Sequence, residues 1–130
     1  MNILLDTNYL IWTSLNTLSP EVDKIITDRN NNIYFSPASI WEIVIKQDSN
    51  NEDFNVDATS LYNALLGSDI KEIAISSKHS VMVGNLPSYH NDPFDRILLS
   101  QAIVENMSFF TSDKKFKEYP YKNILYFKKA

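Results

Sequence analysis

Five short apolar runs punctuate the chain: Asn2–Leu5, Ile33–Ser36, Glu72–Ile75, Met107–Thr111 and Asn123–Phe127. Each has the length of a strand rather than of a helix. The segments between them carry apolar residues at helical spacing. Tyr9–Leu15 follows the capping sequence Asp6-Thr7-Asn8, and Val22, Ile25 and Ile26 follow Ser19-Pro20. Ile40, Trp41, Ile43, Val44 and Ile45 follow Ser36-Pro37, and Leu61, Ala64, Leu65 and Leu66 run up to Gly67. Ser76-Ser77 opens a short helix through Gly84, and Phe94–Asn106 has a stripe of Ile97, Leu98, Ala102 and Ile103. Cap residues before a proline and a glycine at the far end are the usual helix boundaries. Gln47–Asp57 is polar and turn-rich and reads as the longest loop, and Asp113–Tyr119 as a helical turn. Strands separated by helices pair through crossovers, which predicts βαβ units and a mainly parallel sheet of four to five strands covered by helices. The expected class is therefore three-layer α/β/α.

At 130 residues the chain fits one domain, residues 1–130. With no cysteine there are no disulfides, thiolate zinc sites or cysteine nucleophiles. No apolar run reaches the roughly 18 to 20 residues that span a bilayer. Asp6 interrupts the first apolar stretch and no basic leader precedes it, so the expected address is cytoplasmic, away from any membrane. The net charge of −4 has the wrong sign for gripping nucleic acid by bulk attraction. A polyanionic substrate needs a metal ion or a local basic patch.

The acidic residues matter by position rather than by number. Asp6 follows the first strand, and Asp113 lies two residues beyond Thr111, at the end of the fourth. In a parallel sheet both positions belong to the carboxyl edge, where ligands bind. Glu42 sits within the helix after the second strand, and Asp95 starts the helix after Pro93. If those helices begin at the same edge, four carboxylates from four segments meet there. Like charges at such range oppose one another unless a cation intervenes, and Mg²⁺ or Mn²⁺ takes oxygen ligands while keeping positions for phosphate. Each acid also has a plainer reading. Asp6 and Asp113 are good cap residues, Asp95 suits the positive end of a helix, and Glu42 fits a surface.

The strings that carry these acids form a pattern. Leu4-Leu5-Asp6-Thr7-Asn8, Ser36-Pro37-Ala38-Ser39-Ile40-Trp41-Glu42-Ile43 with Lys46, His90-Asn91-Asp92-Pro93-Phe94-Asp95-Arg96 and Thr111-Ser112-Asp113 resemble, in that order, the PIN-domain ribonucleases, and specifically the VapC-type toxins of type II toxin–antitoxin systems. The resemblance runs from residue 2 to about 119. It implies a PIN-like fold and a Mg²⁺-dependent endoribonuclease, with Mn²⁺ as a substitute ion. It also implies Asp6, Glu42, Asp95 and Asp113 as the catalytic, metal-binding quartet, with Asp92 as an extra acid for a second ion or a contact through water. Asn8, Thr111 and Ser112 match supporting hydrogen-bonding positions. Arg96 and Lys46 match basic ones that touch phosphate, pair with the acids or form surface salt bridges. His90 reads as a helix-entry or loop hydrogen-bonding residue rather than as one with a direct chemical role. The chain departs from the family at Leu99 and Ser100, where small residues are usual. RNA as substrate, a cognate antitoxin and a homodimer are the implied partners, with Tyr9, Trp12, Leu15, Leu61 and Leu65 as the candidate antitoxin groove, although such a stripe reads more often as core than as interface.

Two other classes compete. A non-catalytic PIN-like RNA- or protein-binding module would keep the fold without quartet-dependent ion binding. A phosphoryl-transfer domain of similar layering needs a second aspartate two residues after the first, where this chain has Asn8, or an acidic pair at the first strand's end, where Asp6 stands alone.

Overall fold

A computed structural model describes residues 1–49 and 56–128. In chain order it comprises β1 (Asn2–Leu5), α1 (Thr7–Ser14), α2 (Pro20–Ile26), β2 (Asn32–Phe35), α3 (Pro37–Asp48), α4 (Ala58–Leu66), β3 (Lys71–Glu72), α5 (Ser77–Val83), α6 (Pro93–Val104), β4 (Ser108–Thr111), a 3₁₀ helix (Lys114–Glu118) and β5 (Ile124–Tyr126). The strands form one sheet in the order β3-β2-β1-β4-β5, and every neighbouring pair is parallel. The expected three-layer class is the one observed.

Alternation along the strands sorts the core into two halves. Ile3, Leu5, Ile33, Phe35 and Phe110 face one side, where Tyr9, Leu10, Val22, Ile26, Leu61 and Leu65 from α1, α2 and α4 cover them. Leu4 and Phe109 face the other, under Leu98, Leu99 and Ala102 of α6 and Phe116 of the 3₁₀ helix. β1 is covered on both faces, with Ile3, Leu4 and Leu5 fully buried, which is why it reads as an unbroken apolar run. Leu99 and Ser100 are both buried in α6, and the Ser100 hydroxyl donates to the Arg96 carbonyl at 2.9 Å.

Most element ends fall within a residue or two of the sequence expectation, and two of the differences have a clear cause. β3 is two residues, Lys71–Glu72, rather than Glu72–Ile75. Its pairing partner β2 ends at Phe35 because Ser36-Pro37 opens α3 there, so after the Ile73 amide bonds to the Phe35 carbonyl at 2.9 Å no ladder remains for Ala74 and Ile75. α3 continues through Gln47 and Asp48, which were expected to begin the long loop. The Gln47 side chain accepts from the Ala58 amide at 2.9 Å and donates to Asp57 at 3.0 Å, joining the end of α3 to the start of α4. The remainder of that expected loop, residues 50–55, lies outside the described residues. Among the described residues no helix is long and apolar enough to cross a membrane.

Candidate functional site

The sheet order fixes where a ligand can sit. From β1 the chain proceeds outward to β2 and β3, then returns to the opposite side of β1 for β4 and β5. The crevice between β1 and β4, at their carboxyl ends, is the switch point at which parallel sheets bind ligands. Asp6 follows β1 and Asp113 follows β4 after one intervening residue, so they flank that crevice.

The local chemistry that starts each helix also aims the acids. Asp6 caps α1, its Oδ1 accepting the Thr7 amide at 2.8 Å, and its Oδ2 accepts the Thr111 hydroxyl at 2.7 Å. The Thr7 hydroxyl donates to Ser39 Oγ at 2.9 Å, tying the first turns of α1 and α3 together. Asp92 caps α6 by accepting the Phe94 and Asp95 amides at 2.9 and 3.2 Å, and Asp95 lies in that helix's first turn. Asp113 caps the 3₁₀ helix through the Lys115 amide at 2.9 Å. Glu42 points inward from α3 at 6% exposure. Its Oε2 meets the Lys46 ammonium at 2.9 Å, while its Oε1 is buried with no hydrogen-bond partner.

Asp6, Glu42, Asp92, Asp95 and Asp113 line one cleft of about 190 Å³, together with Thr7, Asn8, Lys46 and Lys115. Thus four well-separated stretches of sequence contribute acids to one space. Capping and cleft-lining are not alternatives for Asp6, Asp92 and Asp113; each does both. The acids line the cleft without converging on a point: among the described residues no three carboxylate or imidazole groups stand as a ready-made ligand set for an ion.

The electrostatics of the cleft are those of excess negative charge. Burial pushes Asp6 up to about 6, against the hydrogen bonds from Thr111 and Thr7, and the charges of Glu42 and Asp113 add to the rise. Burial pushes Asp95 further, to about 8, with Asp6, Asp92, Glu42 and Asp113 each raising it. Two helix N-termini, those of α1 and α6, lie at the cleft and offset part of this charge. An all-oxygen donor set, an unpaired buried carboxylate oxygen on Glu42 and two carboxyls that resist ionisation fit a hard divalent cation.

The other expected residues divide. Asn8 lines the cleft and Thr111 bonds to Asp6; Ser112 is half-buried and does not line it. Arg96 does not line it either. Its guanidinium donates to the carbonyls of Val83 at 3.0 Å, Pro87 at 2.9 Å and His90 at 3.3 Å, so it clamps the loop before α6 rather than facing phosphate or an acid. His90 does hydrogen-bond within this region, as its Nδ1 meets the Tyr119 hydroxyl at 2.8 Å. His90 Nε2 stands 3.4 Å from Asp95 Oδ2 without the alignment of a hydrogen bond, which leaves that nitrogen buried and unpartnered. Sequence reasoning missed Lys115 as a cleft residue. The cap geometry that follows from Asp113 was the available clue, since it folds the next two residues back over the strand end.

The candidate antitoxin groove needs correction. Tyr9, Leu61 and Leu65 are buried in the core, and the Tyr9 hydroxyl donates to the Phe127 carbonyl; these side chains cover the sheet and are not open to a partner. Trp12 is partly buried against the same cluster, and of the five only Leu15 is exposed. The apolar side chains that do reach solvent nearby are Trp41, Val44 and Ile45 on α3 and Tyr62 and Leu66 on α4.

Comparison with known proteins agrees with this fold. A structure described as VapBC2 from Rickettsia felis bound to a DNA fragment from their promoter contains a chain that superposes with a TM-score of 0.72 at 22% identity, over 100% of both chains. A DNA-bound VapBC from Salmonella typhimurium gives a TM-score of 0.68 at 14% identity, over 92% of this chain and 93% of that one. At such identities the likeness is one of fold. No curated protein matches the sequence significantly. The family model for the PIN domain matches residues 3–122, a span that holds every acid of the cleft, and the chain therefore belongs to the PIN-domain family.

Proposed function

We propose that this PIN domain is a Mg²⁺-dependent endoribonuclease of the VapC type, the toxin of a toxin–antitoxin pair. Asp6, Glu42, Asp95 and Asp113 are its metal-binding and catalytic acids and Asp92 is an accessory one. The observation that carries the reading is the acidic cleft at the switch point, in which burial and mutual repulsion hold Asp6 and Asp95 well above the ordinary carboxylate value. A permanent concentration of buried like charge disfavours folding, and a cation that offsets it accounts for the arrangement.

When bound, the ion supplies neutralisation of the scissile phosphate and of the charge that develops on the leaving oxygen. The chain's own residues do the rest. Thr7 and Thr111 fix both oxygens of Asp6, the Lys115 amide fixes one oxygen of Asp113, and Lys46 fixes one oxygen of Glu42, so the acids are oriented before substrate arrives. Lys46 and Lys115 both line the same cleft and give an acidic protein the local positive charge that an RNA backbone requires.

Solved structures similar in fold are of VapBC pairs, which supports a cognate antitoxin as partner, met with the RNA in the cytoplasm. Such a partner, or a second copy in a homodimer, would cover the exposed apolar side chains of α3 and α4 rather than the buried Tyr9, Leu61 and Leu65.

Purified protein is expected to cleave single-stranded RNA in Mg²⁺ or Mn²⁺ and to stop in EDTA. Asp6→Asn and Asp95→Asn are expected to lose at least a hundredfold in rate while remaining folded. Equal cleavage by these variants removes the catalytic reading. Absence of heat release on titration with Mn²⁺ then leaves the non-catalytic module.

A further inference from the structure

His90 is absent from the lining of the acidic cleft, yet everything that holds it aims one nitrogen at an acid of that lining. Its backbone carbonyl accepts from Arg96 Nη1 at 3.3 Å. Its ring packs edge-to-face on Phe116 and on Tyr119, with centroids 5.4 and 5.5 Å apart. The Tyr119 oxygen is within 3.5 Å of Arg96 Nη1, a group that only donates. The tyrosine proton is thereby free to go to His90 Nδ1 at 2.8 Å. With Nδ1 accepting, the ring hydrogen resides on Nε2. That nitrogen belongs to a side chain 9% exposed, has no hydrogen-bond partner and lies 3.4 Å from Asp95 Oδ2. A buried N–H without an acceptor is costly, and one oriented by a donor chain toward a carboxylate is a poised hydrogen bond.

We propose that His90 is a positioning residue for Asp95, set in its tautomer by an Arg96–Tyr119 donor chain, that holds Oδ2 of the carboxylate and leaves Oδ1 for the cation of the cleft. This inference rests on the metal-dependent nuclease reading above. It follows the logic by which outer-sphere partners fix the orientation of a metal's ligands, with the imidazole outside and the carboxylate inside. The order of donation is Arg96 to Tyr119, Tyr119 to His90, His90 to Asp95. A rotation of the Asp95 carboxyl that brings Oδ2, already 3.4 Å away, into line with the Nε2–H completes the last step.

The test uses the full chain with Mn²⁺ alone as the binding probe, read by titration calorimetry, beside RNA cleavage and thermal melting. His90→Leu keeps volume and removes the donor, and is expected to weaken Mn²⁺ binding by about tenfold or more and to lower kcat with KM for RNA little changed. His90→Gln places an amide N–H where Nε2 stood and is expected to recover most of both. A purely structural histidine would show the reverse ranking in melting temperature and no selective loss of Mn²⁺. Tyr119→Phe retains the ring packing and frees the tautomer; the His90 ring ¹⁵N resonances are expected to move toward the mixed-tautomer position, with a severalfold loss of Mn²⁺ affinity. A folded His90→Leu protein that binds Mn²⁺ and cleaves RNA like an active wild type overturns this inference alone. If that variant does not fold, wild-type Mn²⁺ affinity in Tyr119→Phe overturns it. Wild-type protein that neither binds Mn²⁺ nor cleaves RNA overturns the proposed function and this inference with it.

Discussion

The Thr111 hydroxyl donates to Asp6 Oδ2 at 2.7 Å while accepting from the Asp113 amide at 3.0 Å. One side chain at the end of β4 therefore sets the spacing of two cleft acids across the switch point. Thr111→Val keeps the shape and deletes the oxygen, leaving a buried carboxylate oxygen and an amide unpaired. It is expected to cost about 1 to 3 kcal/mol in urea unfolding and to reduce RNA cleavage by more than that loss of folded fraction accounts for. Unchanged cleavage by a folded variant would show that Thr111 does not set the site.

The metal-free protein carries a definite pH signature. The folded values of Asp95, about 8, and Asp6, about 6, both lie above the ordinary 3.8. Between roughly pH 4 and pH 8 the folded chain thus binds more protons than the unfolded chain, and stability falls as pH rises through that window, then levels off. The contribution is on the order of a few kcal/mol. Melting in EDTA is expected at a lower temperature at pH 8 than at pH 5.5, with Mg²⁺ restoring the difference at pH 8. A melting temperature that rises from pH 5.5 to pH 8 in EDTA contradicts the account.

Asp95→Asn separates folding from function. The amide is isosteric and uncharged, so in EDTA at pH 8 the variant is expected to melt above the wild type, while gaining little from Mg²⁺ and cleaving RNA at least a hundredfold more slowly. Stabilisation by loss of an active-site charge is the usual cost relation between stability and activity. A variant less stable than wild type under those conditions shows that Asp95 is not held against repulsion.

Lys46 is exposed enough that its ion pair with Glu42 contributes below about 1 kcal/mol to stability. Lys46→Met nevertheless leaves the buried Glu42 with neither oxygen paired, and is expected to cost about 1 to 3 kcal/mol in stability. Because the ammonium stands in the cleft, KM for RNA should rise several-fold and the salt dependence of binding should become shallower. RNA affinity equal to that of wild type at low salt removes Lys46 from the substrate path.

Arg96→Lys tests the loop clamp. A lysine cannot span the Val83, Pro87 and His90 carbonyls that the guanidinium fork reaches together. The expected result is a loss of about 2 kcal/mol, as for other buried groups left unpaired, and faster hydrogen exchange over residues 83–90. Wild-type exchange there shows that other contacts hold the loop.

The strand-end acids were legible in the sequence because a short apolar run followed by a cap residue fixes both the layer and the edge. Asp6 and Asp113 needed nothing more, and Glu42 and Asp95 needed only that their helices start at that edge. Tyr9, Leu61 and Leu65 were ambiguous for a physical reason: a stripe that covers a sheet and a stripe that receives a partner have the same spacing, and only burial separates them. The early end of β3 depended on a proline in a different strand's exit. The Tyr119–His90 pairing joins residues whose side chains acquire neighbours only once the 3₁₀ helix packs beside the loop before α6. For Arg96 the sequence offered phosphate, the acids or a surface salt bridge, because charge is visible in a sequence, whereas the backbone carbonyls that occupy it are not.

Asp6, Asp92 and Asp113 hold helix starts as well as lining the cleft, whereas Glu42 and Asp95 begin no helix. A lineage that abandoned the chemistry would feel two different pressures. The first three positions would drift toward asparagine or serine, which still satisfy the exposed amides of a first turn. The other two, released from any duty to the backbone, would change freely, and the repulsion they leave behind would vanish with them.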